Sequence, residues 1–228
     1  MNERIDFHSH ILPGADHGSD SLKTSLAQLS FAKAAGVDTV VATPHFYPAH
    51  DTMGEFLSRR EETSAELAAN KPVDSPRIAL GSEVHLCAGL DHMDGLDQLC
   101  IAGTNVILLE LPFRHWNDAV METVLAIQDS GEFTPVLAHV DRYPPSIVEM
   151  LFSYNIPGQL NVASICRLRH RSQLLLWAKA GNIVALGSDI HQDINTYAKF
   201  PKAERLLEDS YASIMASTAH LLEGAKYI

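Results

Sequence analysis

The sequence predicts an α/β fold in which repeated βα units form a distorted, TIM-like parallel barrel, with residues 1–228 as a single domain. Three observations carry this prediction. Short apolar, β-branched segments alternate with longer helix-like segments along the whole chain, and no Pro-, Gly- or Ser-rich linker divides them. Seven candidate strands begin near Ile5, Val37, Arg77, Asn105, Thr134, Pro157 and Ile183. Their mean spacing is about 30 residues, the size of one βα unit. Seven units are one short of the common eightfold barrel, so the ring is expected to be incomplete or distorted.

The intervening segments carry helix punctuation. Ser19 or Asp20 is suited to cap a helix that places Leu22, Leu26 and Leu29 on one face and stops at Gly36. Asn117 caps a second, with Val120, Val124 and Ile127 as its stripe and Gly131 as its stop. A third holds Leu174, Leu175, Trp177, Ala178 and Ala180 and ends at Gly181. Each stripe is expected to pack against the sheet.

Composition narrows the function. With 46% hydrophobic and 20% charged residues, the 228-residue chain reads as globular, neither disordered nor membrane-embedded. Its net charge of −11 leaves no diffuse basic surface for a nucleic-acid backbone, so no nucleic-acid partner is expected. Cys87, Cys100 and Cys166 are widely spaced and include no CxxC, which fits reduced thiols better than a disulfide framework. The start, MNERIDFHSH, lacks an apolar signal core, and no run approaches 18 apolar residues. A cytoplasmic protein without membrane insertion is expected. The unusual count is histidine, 12 of 228.

Six of these histidines fall at predicted strand ends. The first strand ends in His8, Ser9, His10, and period-two alternation puts both imidazoles on one face. VDTVVATPH ends at His45, RIALGSEVH at Glu83 and His85, and NVILLELP carries Glu110. TPVLAHVDRY holds His139, Asp141 and Arg142, and NIVALGSDIH ends in Asp189 and His191. In a parallel barrel these ends meet at one rim, where barrel active sites are assembled. Buried carboxylates converging there need neutralisation, which divalent cations supply. Imidazole and carboxylate without thiolate suit zinc, manganese or iron. The set His8, His10, His17, His45, Glu83, Glu110, His139, Asp189 and His191 exceeds the three or four protein ligands of one ion, so two or three ions are expected. Such a cluster is suited to phosphate-ester hydrolysis, with Arg142 as a guanidinium for a phosphoryl oxygen.

HSHILPGADHGS, ATPH, GSEVH, LLELPF, AHVDRY and GSDIH together resemble the polymerase-and-histidinol-phosphatase (PHP) superfamily of metal-dependent phosphoesterases. Within it they are most similar to the bacterial tyrosine-protein phosphatases of capsular and exopolysaccharide synthesis. The resemblance runs from about Ile5 to His191. It implies a distorted seven-stranded barrel and a trinuclear, usually manganese-preferring centre, with iron and zinc as alternatives. It assigns His8, His10, Glu83 and Asp189 to a first ion and bridging Glu83, Glu110 and His139 to a second. His17, His45 and His191 go to a third. Arg142 matches the family's basic residue after the fifth-strand histidine, a catalytic position for phosphate or leaving-group contact.

Departures concentrate in the loops. The family commonly carries Asp-Asp-Gly where this chain has Asp16, His17 and Gly18, so either His17 or Asp16 is the loop ligand. His85 stands where an apolar or aromatic residue is usual, and Arg167, Arg169 and Arg171 follow the sixth strand; these are candidate substrate contacts.

The implied function is a phosphomonoesterase acting on protein phosphotyrosine through a metal-bridging hydroxide. Its expected partner is the tyrosine-rich tail of a polysaccharide-synthesis kinase. A small-molecule phosphatase acting on a sugar phosphate, nucleotide or histidinol phosphate is the runner-up. An amidohydrolase-like enzyme is disfavoured because no strand-end lysine appears, and a decayed regulatory module because all nine ligand positions are filled. Cys166 is followed directly by Arg167 rather than by the spaced loop of a cysteine-nucleophile phosphatase, which argues against a thiol route.

Overall fold

Strands in a parallel sheet are covered by helices on both faces, so they must be apolar along their whole length. The strands here are buried along most of their length, and they carry polar residues at Asp6, His8, Glu83, Gln159 and Asn161. The computed structural model describes residues 3–113 and 116–228. Its first half holds β1 (Ile5–Ser9), α1 (Leu22–Ala34), β2 (Thr39–Ala42), β3 (His45–Phe46), α2 (Met53–Asn70), β4 (Arg77–Leu80) and β5 (Glu83–His85). Then come β6 (Val106–Glu110), α3 (Asp118–Asp129), β7 (Thr134–Leu137), α4 (Pro145–Ser153) and β8 (Gly158–Asn161). The chain ends with α5 (Val162–Ile165), α6 (Arg171–Lys179), β9 (Ile183–Gly187), α7 (Phe200–Leu207) and α8 (Asp209–Leu221). Every residue of β1, β2, β6 and β8 is buried.

All strand pairings in the two sheets are parallel, as the βα pattern predicts. One sheet runs β1-β2-β4 and the other β3-β5-β6-β7-β8-β9. The single seven-stranded sheet expected from sequence is therefore divided, because two predicted strands are broken. VDTVVATPH is interrupted at Thr43–Pro44, where proline cannot donate to the ladder, and RIALGSEVH at Gly81–Ser82. The ends of β1 and β9 are joined by backbone bonds, Asp189 N to His8 O (2.8 Å) and His10 N to Ile190 O (3.1 Å).

The predicted helices form with small changes. Ser21, rather than Ser19 or Asp20, caps α1 by accepting from Thr24 N (3.3 Å); Ser19 is buried instead, with its hydroxyl 2.7 Å from that of Ser25. Asn117 caps α3 as expected, accepting from Val120 N (3.0 Å), and Val120, Val124 and Ile127 are buried. Leu174, Trp177 and Ala178 are the buried stripe of α6. No helix among the described residues is long and apolar enough to cross a membrane.

Candidate metal centre

The predicted ligands converge, with Glu83 at their centre. This carboxylate is fully buried at the start of β5. Its Oε2 lies 3.1 Å from His8 Nε2, 3.2 Å from His10 Nε2 and 3.0 Å from His45 Nδ1, while Oε1 lies 2.7 Å from His139 Nε2. Asp189 Oδ1 is 3.4 Å from His10 Nε2 and 3.6 Å from His191 Nδ1. Glu110 Oε1 is 3.7 Å from His139 Nε2. The exposed His17 ring stacks on His45 at 4.6 Å, and its Nε2 faces His191 Nε2 at 3.1 Å.

Three groups have ligand atoms mutually within 4.8 Å: His8, His10 and Asp189; His10, His45 and His191; and His45, Glu83 and Glu110. This grouping differs from the family apportionment. His10 takes the place expected of His17, and His45 that of His139.

The donor set fits divalent cations. Ligands about 2.1 Å from one ion stand roughly 3 to 3.5 Å from each other, the spacing seen here. Glu83 Oε2 and the His45 ring nitrogens are buried without a well-aligned hydrogen bond although Glu83 Oε2 stands within 3.2 Å of three imidazole nitrogens, which leaves Glu83 Oε2 and one nitrogen of His45 available to a cation. Electrostatics agree. Burial opposes charge on His8, but the Glu83 and Asp189 carboxylates outweigh it and raise its pKa. Burial likewise opposes charge on His10, yet Asp16, Asp189 and Glu83 raise its pKa well above the usual range. Burial pushes the Glu83 carboxyl upward, and the surrounding imidazoles overcome it and hold Glu83 well below the carboxylate range. A cation replaces the shared protons of such a cluster when it binds.

Asp16, the alternative to His17 as loop ligand, and residues not named from sequence hold the ligands in place. Asp16 Oδ2 accepts from His10 Nδ1 (2.7 Å) and from the His45 backbone N–H (3.0 Å), so Asp16 orients two ligands while His17 faces His191. Gln159 Oε1 accepts from His8 Nδ1 (3.1 Å) and His139 N (2.7 Å). Its amide donates to Asn161 Oδ1 (3.0 Å), and Asn161 Nδ2 donates to Asp189 Oδ2 (2.9 Å). Buried Asp6 accepts from Ser188 N (2.7 Å) and Ser188 Oγ (2.6 Å), tying β1 to the Asp189 loop. Ligand-type chemistry does not single out Gln159 or Asn161. Alternation along β8 was the available signal, since it sends both to one face.

The remaining predicted residues divide. Arg142 donates to Asp189 and is partly exposed at the edge of the cluster. His85 Nδ1 lies 3.1 Å from Glu110 Oε2, with its ring 5.7 Å from that of Tyr47. Arg167 and Arg169 are exposed, and neither bonds to the cluster among the described residues; Arg169 Nε donates to His170 Nε2 (2.9 Å). Arg171 is committed to the carbonyls of Ile165, Cys166 and Arg167 at the end of α5, which corrects its reading as a substrate contact. His115, given no ligand role from sequence, lies outside the described residues.

The family model for capsular polysaccharide synthesis proteins of the CpsB/CapC type matches residues 4–220. The chain belongs to the CpsB/CapC family. This CpsB/CapC member is 25% identical over 225 residues to tyrosine-protein phosphatase YwqE of Bacillus subtilis, covering 92% of this chain and 85% of that protein. It is 27% identical over 141 residues to tyrosine-protein phosphatase CpsB of Streptococcus agalactiae, a match spanning 61% of this chain and 57% of that protein. Its fold superposes with a TM-score of 0.79 on a solved structure from work on YwqE of Bacillus subtilis and CpsB of Streptococcus pneumoniae, described as metal-dependent tyrosine phosphatases. Identity there is 20%, covering 98% of this chain and 96% of that one.

Proposed function

We propose that this chain is a metal-dependent phosphomonoesterase that hydrolyses protein phosphotyrosine in capsular or exopolysaccharide synthesis. The carrying observation is the convergence of eight imidazole and carboxylate side chains with buried Glu83, in a family whose relatives are named tyrosine-protein phosphatases. The proposed ligand set is His8, His10, His17, His45, Glu83, Glu110, His139, Asp189 and His191, holding two to three divalent ions. Manganese is preferred over iron and zinc. We further propose that residues 1–228 form one domain. In it β2 with β3 and β4 with β5 are halves of broken strands, and the β1–β9 backbone bonds act as the seam of a distorted seven-stranded barrel. The expected partner is a kinase's tyrosine-rich tail, and the unpaired cysteines support a cytoplasmic setting.

When bound, the ions supply a nucleophilic water at neutral pH and neutralise phosphoryl oxygens. The residues of the chain do the rest. Gln159 holds the proton of His8 on Nδ1 and leaves Nε2 for the cluster. Arg142, at the partly exposed edge, turns its guanidinium from Asp189 to a phosphoryl oxygen and stabilises charge as the ester oxygen departs. Water adds to phosphorus, the P–O bond to tyrosine breaks, and tyrosine and inorganic phosphate leave without a phosphoenzyme.

The test compares turnover of a phosphotyrosine peptide with a panel of metabolite phosphates after manganese reconstitution, alongside elemental analysis. At least two equivalents of metal and preference for the peptide are expected. Preference for metabolites by orders of magnitude would instead establish a small-molecule phosphatase, and metal well below two equivalents would remove the multinuclear site.

A further inference from the structure

Among the described residues, Phe113 is the large exposed apolar side chain whose ring stacks on a cluster histidine. It follows β6 by three positions and is 59% exposed. Its ring lies 6.2 Å from that of His139, tilted only 13°, and 5.3 Å from that of Tyr143. Beside it opens a cleft of about 80 Å³ lined by Leu111, Pro112, Trp116, Arg142 and Tyr143 among others. Arg142 belongs both to this cleft and, through Asp189, to the edge of the metal cluster. His139 joins the same two features, because its Nε2 lies 2.7 Å from Glu83 Oε1.

A single exposed apolar side chain is ordinary, but Phe113 shares one cleft at the mouth of the polar site with Pro112, Trp116 and Ile147, and a contiguous apolar patch marks a binding surface. The phosphoryl group and ring of phosphotyrosine are separated by one oxygen, so a seat for the ring must border the seat for the phosphate. Phe113 stands at that border. Its exposed ring, the partly exposed indole of Trp116 and the Arg142 guanidinium are the groups that attract an aryl ring, by stacking and by cation–π contact. A serine phosphate offers only a methylene to the same surface.

We propose that Phe113, with the cleft formed by Trp116, Tyr143 and Arg142, seats the aryl ring of the substrate and selects aryl over alkyl phosphate esters. This inference rests on the phosphatase reading and adds its specificity determinant. Phe113 is a binding residue in it and takes no part in proton or phosphoryl transfer.

The experiment uses manganese-loaded protein and two peptides of one sequence, carrying phosphotyrosine or phosphoserine. The quantity read is the ratio of their kcat/KM values. Phe113→Ala lowers that ratio about tenfold, the loss expected for one aromatic contact, chiefly through KM for the phosphotyrosine peptide. Phe113→Trp restores it. A peptide bearing a non-hydrolysable phosphonate analogue of phosphotyrosine, titrated by calorimetry, weakens by the same factor. Phe113→Leu keeps an apolar contact on His139 without a ring, and it decides the case if Phe113→Ala loads less metal. An unchanged ratio in Phe113→Leu at wild-type metal content overturns the inference while leaving the phosphatase reading intact. A wild-type protein that turns over no phosphotyrosine peptide overturns both.

Discussion

Gln159 shows how one neutral side chain sets the chemistry of charged neighbours. Its single amide oxygen accepts from His8 Nδ1 and from the His139 backbone N–H, both in the buried interior. Gln159→Leu keeps the volume and removes the acceptor, which leaves two buried donors unpaired at about 1 to 3 kcal/mol each. The expected result is a lower midpoint in urea together with a metal affinity weakened about 10- to 100-fold, read by titration with manganese. Unchanged affinity would mean that His8 keeps its tautomer without help. Arg142 calls for a different substitution. Arg142→Lys keeps the charge and loses the planar fork, so metal content should hold while kcat falls about tenfold or more on a phosphotyrosine peptide. Full activity in that variant would remove Arg142 from phosphate contact. Neither residue shares its mode of action with the histidines. Arg142 was legible as a cation after a strand, whereas Gln159 carries no ligand chemistry to mark it.

At the scale of elements, His10, Glu110, His139, Asp189 and His191 sit at or beyond the ends of strands, while His45 and Glu83 open the short strands β3 and β5. β7 ends at Leu137 and β9 at Gly187, so His139 and Asp189 lie beyond the pleat, not on it. Both have positive φ, 29° and 50°, a conformation that non-glycine residues adopt rarely and that clusters at functional sites. The sequence located these residues in the right βα units, because apolar runs and turn residues are local signals. It did not foresee their backbone geometry, which packing of neighbouring segments imposes, nor the breaks at Pro44 and Gly81 that divide the sheet. His8 and His10 were better served, since simple alternation brings their Nε2 atoms within 3.1 Å. Gly187 shows how tight the fit is. A Cβ there would stand 2.6 Å from His8 Cβ and 2.6 Å from Gln159 Nε2. Gly187→Ala therefore forces β9 away from β1, and a loss of about 1 to 3 kcal/mol in stability is expected, with metal uptake impaired. Wild-type melting and metal content in Gly187→Ala would show that the two strands can separate freely.

Across the whole molecule, two kinds of reactive group are kept apart. Burial, reinforced by Asp97 and opposed by Arg60, pushes the Cys100 thiol up to about 12, and burial also raises Cys87 and Cys166. None of the three belongs to the cluster, so alkylation of the native protein with iodoacetamide should be slow and should spare phosphatase activity; rapid inactivation would revive a thiol route. The acidic groups are organised in the opposite sense. A chain of net charge −11 gathers Glu83, Glu110 and Asp189 in its interior, where, among the described residues, imidazoles and the Arg142 guanidinium are the cationic groups beside them. Such a centre is stabilised by whatever cation binds the folded form and not the unfolded chain. At a free-ion concentration 100 times the dissociation constant, each site adds about 2.7 kcal/mol. For a domain of this size that corresponds to roughly 5 to 10 °C in melting temperature per site. Chelation with EDTA should therefore lower the melting temperature by at least that amount and abolish turnover, and manganese should restore both together. A melting curve indifferent to chelation, in protein shown by elemental analysis to have lost its metal, would mean that the imidazoles alone balance the buried acids.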